Sequence, residues 1–171
     1  MNLEDAIKTA LDYESRIRDI YRDGAERIDD PKGRRIFREL AEDEQRHIDY
    51  LNHKLDQWRR TGRITDERLE STIPPREMIR FEAEKLRSRI QRDHRGLKTQ
   101  MLSKALQVEI ETSEFYHRLV ETLPEEGRRM FARFLEIENN HVDAVQFELD
   151  HVGSTGRWFG FEEFDMEEGG F

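Results

Sequence analysis

The chain has 171 residues, 39% of them charged, and a formal net charge of −9, which suits one domain with a sizeable core. That acidity argues against general nucleic-acid binding, which needs a concentrated basic face; the lack of any Cys excludes disulfides, iron–sulfur clusters and Cys-ligated zinc. The mean hydropathy is −0.95, yet apolar residues recur at helical spacing, as in a thin bundle with wide solvated faces rather than a disordered chain.

The opening residues Met1 to Ala6 lack a basic start and an apolar run, so no secretory signal is expected. No stretch is long and apolar enough to span a membrane, and the default address is cytoplasmic. A first helix is predicted over about Leu3 to Ile28, with Ile7, Ala10, Leu11, Ile17 and Tyr21 on one face and Glu14 in the middle of that face. Asp30-Pro31-Lys32-Gly33 breaks it, because the residue before a proline is biased out of the helical region. A second helix follows to about Trp58, carrying Phe37, Leu40, Ala41, Ile48 and Leu51 on its apolar face, with Glu44 and His47 set into that same face. A spacing of three puts this carboxylate and imidazole side by side.

From Arg63 to Lys98 the chain is long for a loop between neighbouring helices and reads as a crossover with its own helix, beginning at Pro75 and carrying Met78, Ile79, Phe81, Ala83, Leu86 and Ile90. The third bundle helix begins near Leu97 and shows Met101, Ala105, Leu106, Glu109, Thr112, Tyr116 and Leu119. The turn at Leu123-Pro124 leads into a fourth helix with Glu138 and His141, expected to end near His151. Gly153-Ser154-Thr155-Gly156 reads as a flexible joint. The acidic, aromatic segment from Arg157 to Phe171 is expected to dock its rings on the parent bundle or a dimer mate, rather than to serve as a sticky peptide for a partner. The division is a bundle over 1–152 and a tail over 153–171, and a homo-oligomer, a dimer or larger, is expected.

An internal repeat organises the whole. Ala10-Leu11 through Glu14 to Tyr21 aligns with Ala105-Leu106 through Glu109 to Tyr116 at an offset of 95, and Arg34-Arg35-Ile36-Phe37 through Glu44 and His47 aligns with Arg128-Arg129-Met130-Phe131 through Glu138 and His141 at 94. The one-residue difference falls in the connecting turn, where it is cheap. The expected fold is all-α: a four-helix bundle from two repeated hairpins, with a helical crossover between helices two and three. In it Glu14, Glu44, His47, Glu109, Glu138 and His141 converge. Bare charges in such numbers are not tolerated in a core; two divalent cations would balance four carboxylates. One Glu from each of two helices and a Glu-x-x-His from each of the others is the carboxylate-bridged di-iron or di-manganese pattern. Oxygen ligands with imidazole suit iron and manganese, and zinc also binds such mixtures.

On Glu14, Glu44-Gln45-Arg46-His47, Glu109 and Glu138-Asn139-Asn140-His141, the chain resembles the ferritin-like superfamily, in its rubrerythrin and bacterioferritin branch. The resemblance implies two iron ions, one imidazole on each, and hydrogen bonds to the ligands from Tyr21 and Tyr116, whose packing in the core is an equally good reading. It implies redox activity with peroxide or O₂, either peroxide reduction or Fe(II) oxidation; a non-catalytic iron store, confined in a compartment, and a metal-stabilised structural bundle are the alternatives. Thr112 stands where rubrerythrins carry a further ligand carboxylate, and Gln45 where bacterioferritins place a haem-binding Met. With no Cys for a rubredoxin-like iron group, electrons are expected from an external donor protein. His53, His94, His117 and His151 read as surface residues, Glu111 as facing elsewhere, and Glu148, two turns after His141, as a solvated acid rather than a hydrogen-bond partner of the ligands.

Overall fold

A computed structural model of the chain describes residues 1–87, 96–161 and 164. Among the described residues the structure is all-helical, with α1 (Leu3–Arg27), α2 (Pro31–Thr61), α3 (Arg76–Arg87), α4 (Leu97–Thr122) and α5 (Glu125–Thr155). Helices α1, α2, α4 and α5 are the four bundle helices expected from the repeat, and α3 is the crossover helix. Helix α1 packs on α2, α4 on α5, and α1 on α4, while α3 lies against α5.

Local chemistry sets the ends. Asn2 caps α1 by accepting the Asp5 N–H at 2.8 Å, and Asp30 caps α2 by accepting those of Lys32 at 2.8 Å and Gly33 at 3.1 Å. Pro31 then takes the first helical position, where its missing N–H costs nothing. At the far ends Gly62 (φ 72°) and Gly156 (φ 74°) adopt the left-handed conformation that closes α2 and α5. These two glycines are 94 residues apart, so the repeat extends to its caps. Both helices are therefore about one turn longer than expected. The helix runs through Gly153, so the expected joint is helix plus cap: a glycine inside a long packed helix is tolerated, and only Gly156 stops it. The turn between α4 and α5 is one residue shorter than that between α1 and α2, which accounts for the offsets of 94 and 95.

The buried side chains fall into two apolar clusters. One gathers Leu3, Ile7, Leu51, Phe115, Phe131 and Phe134, and the other Ile17, Phe37, Leu40, Leu102 and Val145. The tail's described rings join the second: Trp158, Phe161 and Phe164 are buried, with Trp158 edge-on to Phe37 at 5.9 Å and over Gly33, where a Cβ would come within 2.6 Å of the indole. The described part of the tail thus docks on its own bundle, while Phe171 lies outside the described residues. In α3, Ile79 is buried, but Phe81 is 65% exposed, with Lys85 Nζ 4.6 Å above its ring. Only one narrow stripe of α3 faces α5, and Phe81 lies off it. The side chain of Leu86, and Ile90 and His94 altogether, lie outside the described residues.

The crossover before α3 straps onto α2 and α5. Lys54, fully buried, donates to the Thr65 carbonyl at 2.6 Å and to Glu67 at 2.5 Å, and Arg133 donates to the Leu69 carbonyl at 2.9 Å. Arg76 at the start of α3 pairs with Asp143 of α5 at 2.6 Å.

Candidate metal centre

Between the two apolar clusters the bundle axis is occupied by acids and imidazoles. Glu14 follows Ala10 and precedes Ile17 on the inward stripe of α1; Glu44 and His47 lie between Leu40 and Leu51 on that of α2. Glu109 on α4 and Glu138 and His141 on α5 repeat this. The structure brings all six together, each with no exposed surface.

The donor atoms form two overlapping sets, each within 4.8 Å: Glu14, Glu44, His47 and Glu138 in one, Glu109, Glu44, His141 and Glu138 in the other. Glu44 and Glu138 belong to both, so Glu14 with His47 and Glu109 with His141 are the unshared pairs. His47 Nδ1 lies 3.2 Å from Glu14 and from Glu44 and 3.5 Å from Glu138. His141 Nδ1 lies 2.7 Å from Glu44 and 3.3 Å from Glu109. The imidazoles stack at 5.3 Å between centroids.

Each unshared carboxylate is held by a tyrosine of the other hairpin. Tyr21 donates to Glu109 at 2.5 Å, and Tyr116 donates to Glu14. Both rings are also buried in the apolar clusters, so the two readings of these tyrosines hold together. Beyond the six, Asp43 is a residue the sequence analysis missed. It is fully buried, and its Oδ2 lies 2.7 Å from His141 Nε2 and 3.3 Å from His47 Nε2. The available signal was its position one turn before His47, on the same face. Arg46 donates to its other oxygen at 2.6 Å, and Ser71 of the crossover to Oδ2 at 2.7 Å.

Without cations the cluster balances charge by sharing protons. Burial, reinforced by Glu14 and Glu109, raises the Glu44 pKa well above the usual range, and burial with the surrounding carboxylates does the same for Glu138. Burial disfavours both imidazolium forms, but Glu14 and Glu44 around His47, and Glu44 and Glu109 around His141, win and raise both. Against the same burial penalty, hydrogen bonding with Glu44 and the charge of His47 bring Glu14 down to about 2. His141 lowers Glu109 likewise, and the two imidazoles hold Asp43 far below the carboxylate range.

The donor set fits divalent cations. One oxygen each of Glu44 and Glu109 and both of Glu138 are buried with no hydrogen-bond partner, a state that costs about 1–3 kcal/mol per group unless something fills it. A cation is the species that several converging carboxylate oxygens and imidazole nitrogens jointly accept.

Other expectations sort clearly. Thr112 is buried but spends its hydroxyl on the Val108 carbonyl at 2.8 Å, and Gln45 faces outward to Arg18 at 2.9 Å. Glu111 pairs with Arg16 at the surface, and His53 and His117 are exposed. His151 is half-buried instead, donating to the Arg157 carbonyl at 2.7 Å. Glu148 is the clearest correction. It is fully buried beneath the tail, accepting the N–H groups of Phe159 at 3.0 Å and Gly160 at 2.8 Å, and burial raises its pKa to about 7. It lies two turns after His141 on the same buried stripe, and the docked tail supplies the N–H groups that satisfy it. No helix among the described residues is long and apolar enough to cross a membrane.

A family model described as rubrerythrin matches residues 5–148, a span that takes in all six converging residues and Asp43. No curated protein and no solved structure matches the chain.

Proposed function

From the premise that the chain belongs to the rubrerythrin family, matched over residues 5–148, we propose that its buried centre holds two iron ions and works as a redox centre with peroxide or O₂. The observation that carries this is the pair of overlapping four-residue sets sharing Glu44 and Glu138, with buried carboxylate oxygens that nothing else satisfies. Glu14 and His47 complete one position, and Glu109 and His141 the other. Manganese or zinc would fit the same donors less characteristically. When bound, an iron pair supplies two adjacent one-electron centres, so that two electrons pass to one oxidant.

The chain's own groups do the rest. Tyr116 and Tyr21 fix the orientation of the unshared carboxylates, leaving their second oxygens to face inward. The imidazoles present Nδ1 to the carboxylates and turn Nε2 toward Asp43, whose Oδ2 lies 2.7 Å from that of His141 and 3.3 Å from that of His47. Aromatic and aliphatic walls on both sides, Phe134 against His47 among them, keep bulk water from the donors. Protons held on Glu44, Glu138 and the imidazoles in the metal-free chain must leave as cations enter.

Peroxide is the slightly preferred oxidant. Thr112 gives the opposite reading its one specific support, since a hydroxyl bonded back to its own helix replaces the family's further carboxylate. Fe(II) oxidation by O₂, in iron handling, is therefore the second reading. No Cys occurs in the sequence, so we assign electron supply to a group outside these 171 residues. Anaerobic Fe(II) titration should saturate near two equivalents, and stopped-flow mixing of the reduced protein with each oxidant then decides. Faster reaction with peroxide supports the peroxidase reading, faster reaction with O₂ and mineral growth the ferroxidase. Inertness to both ends the redox proposal.

A further inference from the structure

The repeat makes the ligands of the two positions equivalent, but the residue just before each shared carboxylate breaks it. Asp43 precedes Glu44, whereas the corresponding residue before Glu138 is Ile137, also fully buried. A symmetric bundle would give each imidazole its own carboxylate. Here both outward nitrogens turn to one.

That carboxylate cannot serve them equally. A carboxylate oxygen has two lone-pair sites. On Asp43 Oδ2 they are taken by the Ser71 hydroxyl at 2.7 Å and by His141 Nε2 at 2.7 Å. His47 Nε2 lies 3.3 Å from the same oxygen, near enough for attraction, but lacks hydrogen-bond geometry and has no other partner. Asp43 cannot swing toward His47, because Oδ1 is tied to Arg46 at 2.6 Å and to the Thr72 N–H at 3.3 Å. Two of these anchors, Ser71 and Thr72, come from the crossover, and the apolar side chain of Ile137 can accept neither of the bonds they donate.

A hydrogen bond to the outer nitrogen fixes a ligating imidazole's tautomer and ring orientation and makes it a better donor; losing such a partner typically costs about 10- to 100-fold in metal affinity. We infer that the two metal positions are unequal: the one completed by Glu109 and His141 fills first and more tightly, the one completed by Glu14 and His47 second and more loosely, with Asp43 as the positioning residue that sets the order. This rests on the proposed reading of the centre as a two-metal site. It predicts chemistry in which one ion is resident and the other exchanges.

Two successive affinities alone would not prove it, since a first cation weakens binding of a second beside it. The test uses Zn(II), which is redox-silent, titrated calorimetrically into the chelator-stripped full chain, with helical circular dichroism as a check on folding. His47→Ala should keep the first binding step near its wild-type affinity and lose the second. His141→Ala should weaken the first step by about 10- to 100-fold. Equal losses in the two variants, or the larger loss in His47→Ala, overturn the inference while leaving the metal site standing. Failure of the wild-type chain to bind zinc overturns both. Asp43→Asn assigns the cause: repeated in that background, the two alanine variants should converge, and a gap that persists removes Asp43 from the explanation.

Discussion

Glu138 and Glu148 lie on the same helix, are both fully buried, and both have pKa values pushed upward, in each case chiefly by burial. Their oxygens tell them apart. Those of Glu148 each accept a backbone N–H, from Gly160 and Phe159, groups that the tail's fold holds in place. Those of Glu138 accept nothing and face three other carboxylates and two imidazoles. A buried acid whose lone pairs are filled by fixed donors is an anchor for the chain. One whose lone pairs are empty among its own kind is a place for a cation. Depth and perturbed ionisation, taken alone, would have put both in the same class.

The largest effect should come from cutting the two acids back. Glu138→Ala removes a ligand common to both positions and should drop anaerobic Fe(II) stoichiometry from near two to below one. Glu148→Ala should leave it near two while loosening the tail. Metal loss in the second variant would break the comparison.

Removal of metal should come next. A ligand present at 1,000 times its Kd stabilises a fold by about 4 kcal/mol, so the metal-free chain should melt well below the loaded one at neutral pH. The pH dependence of the metal-free form follows from the shifts. Glu44 and Glu138 have raised values, so folding loses stability as pH climbs past their unfolded value of about 4.3 toward their folded ones. His47 and His141 are also raised, so their contribution is complete below about 6.5 and lost as pH rises through their folded values. Glu14, Glu109 and Asp43 are lowered, and their contribution is lost only as pH falls into the acid range. Thermal melts of the metal-free chain should therefore peak at mildly acidic pH and decline toward pH of about 8. A flat profile would mean that these acids are solvated.

Glu148 sharpens the contrast on a smaller scale, in the loaded protein. Burial lifts its folded value to about 7, so its contribution is complete below the ordinary Glu value of about 4.3 and is lost as pH climbs from there to about 7. The span corresponds to roughly 3 kcal/mol. Glu148→Gln, which cannot ionise, should remove about that much of the difference between denaturant melts at pH of about 5 and 8. An unchanged slope would place the pH sensitivity elsewhere.

The smallest effects belong to the two tyrosines. Tyr21→Phe and Tyr116→Phe each delete one hydrogen bond to a buried carboxylate, worth about 1.5 kcal/mol. The two losses should match, since the bonds cross the bundle symmetrically. Unequal values would show that the asymmetry at Asp43 reaches the unshared ligands as well.

How much of this could be read from the residues follows the same division. Glu14, Glu44, His47, Glu109, Glu138 and His141 were legible because each interrupts an apolar stripe and each has a twin. The four bundle helices were legible for the same reason, down to the one-residue difference in their turns. Asp43 was not: it is one acid among many and its twin position is Ile137, so the repeat that exposes the ligands hides their support. Glu148 was misread because its hydrogen bonds are to backbone N–H groups more than ten positions later, which have no sequence signature. Gly153 looked like a joint only because three small or polar residues follow it; packing along α5 overrides that local preference. Phe81 was legible only as one of the apolar residues of the crossover helix, and which of these would be buried was not, because a short helix resting on one neighbour covers one stripe only.

The sharing of Glu44 and Glu138 has a consequence for assembly. The first position draws Glu14, Glu44 and His47 from the α1–α2 hairpin and Glu138 from the other; the second draws Glu109, Glu138 and His141 from the α4–α5 hairpin and Glu44 from the first. Neither hairpin can complete a coordination set by itself. An ion held there would therefore cross-link the duplicated halves, and would find its full complement of ligands only after they had docked. Metal should act late, leaving the rate of collapse nearly unchanged and slowing the separation of the hairpins.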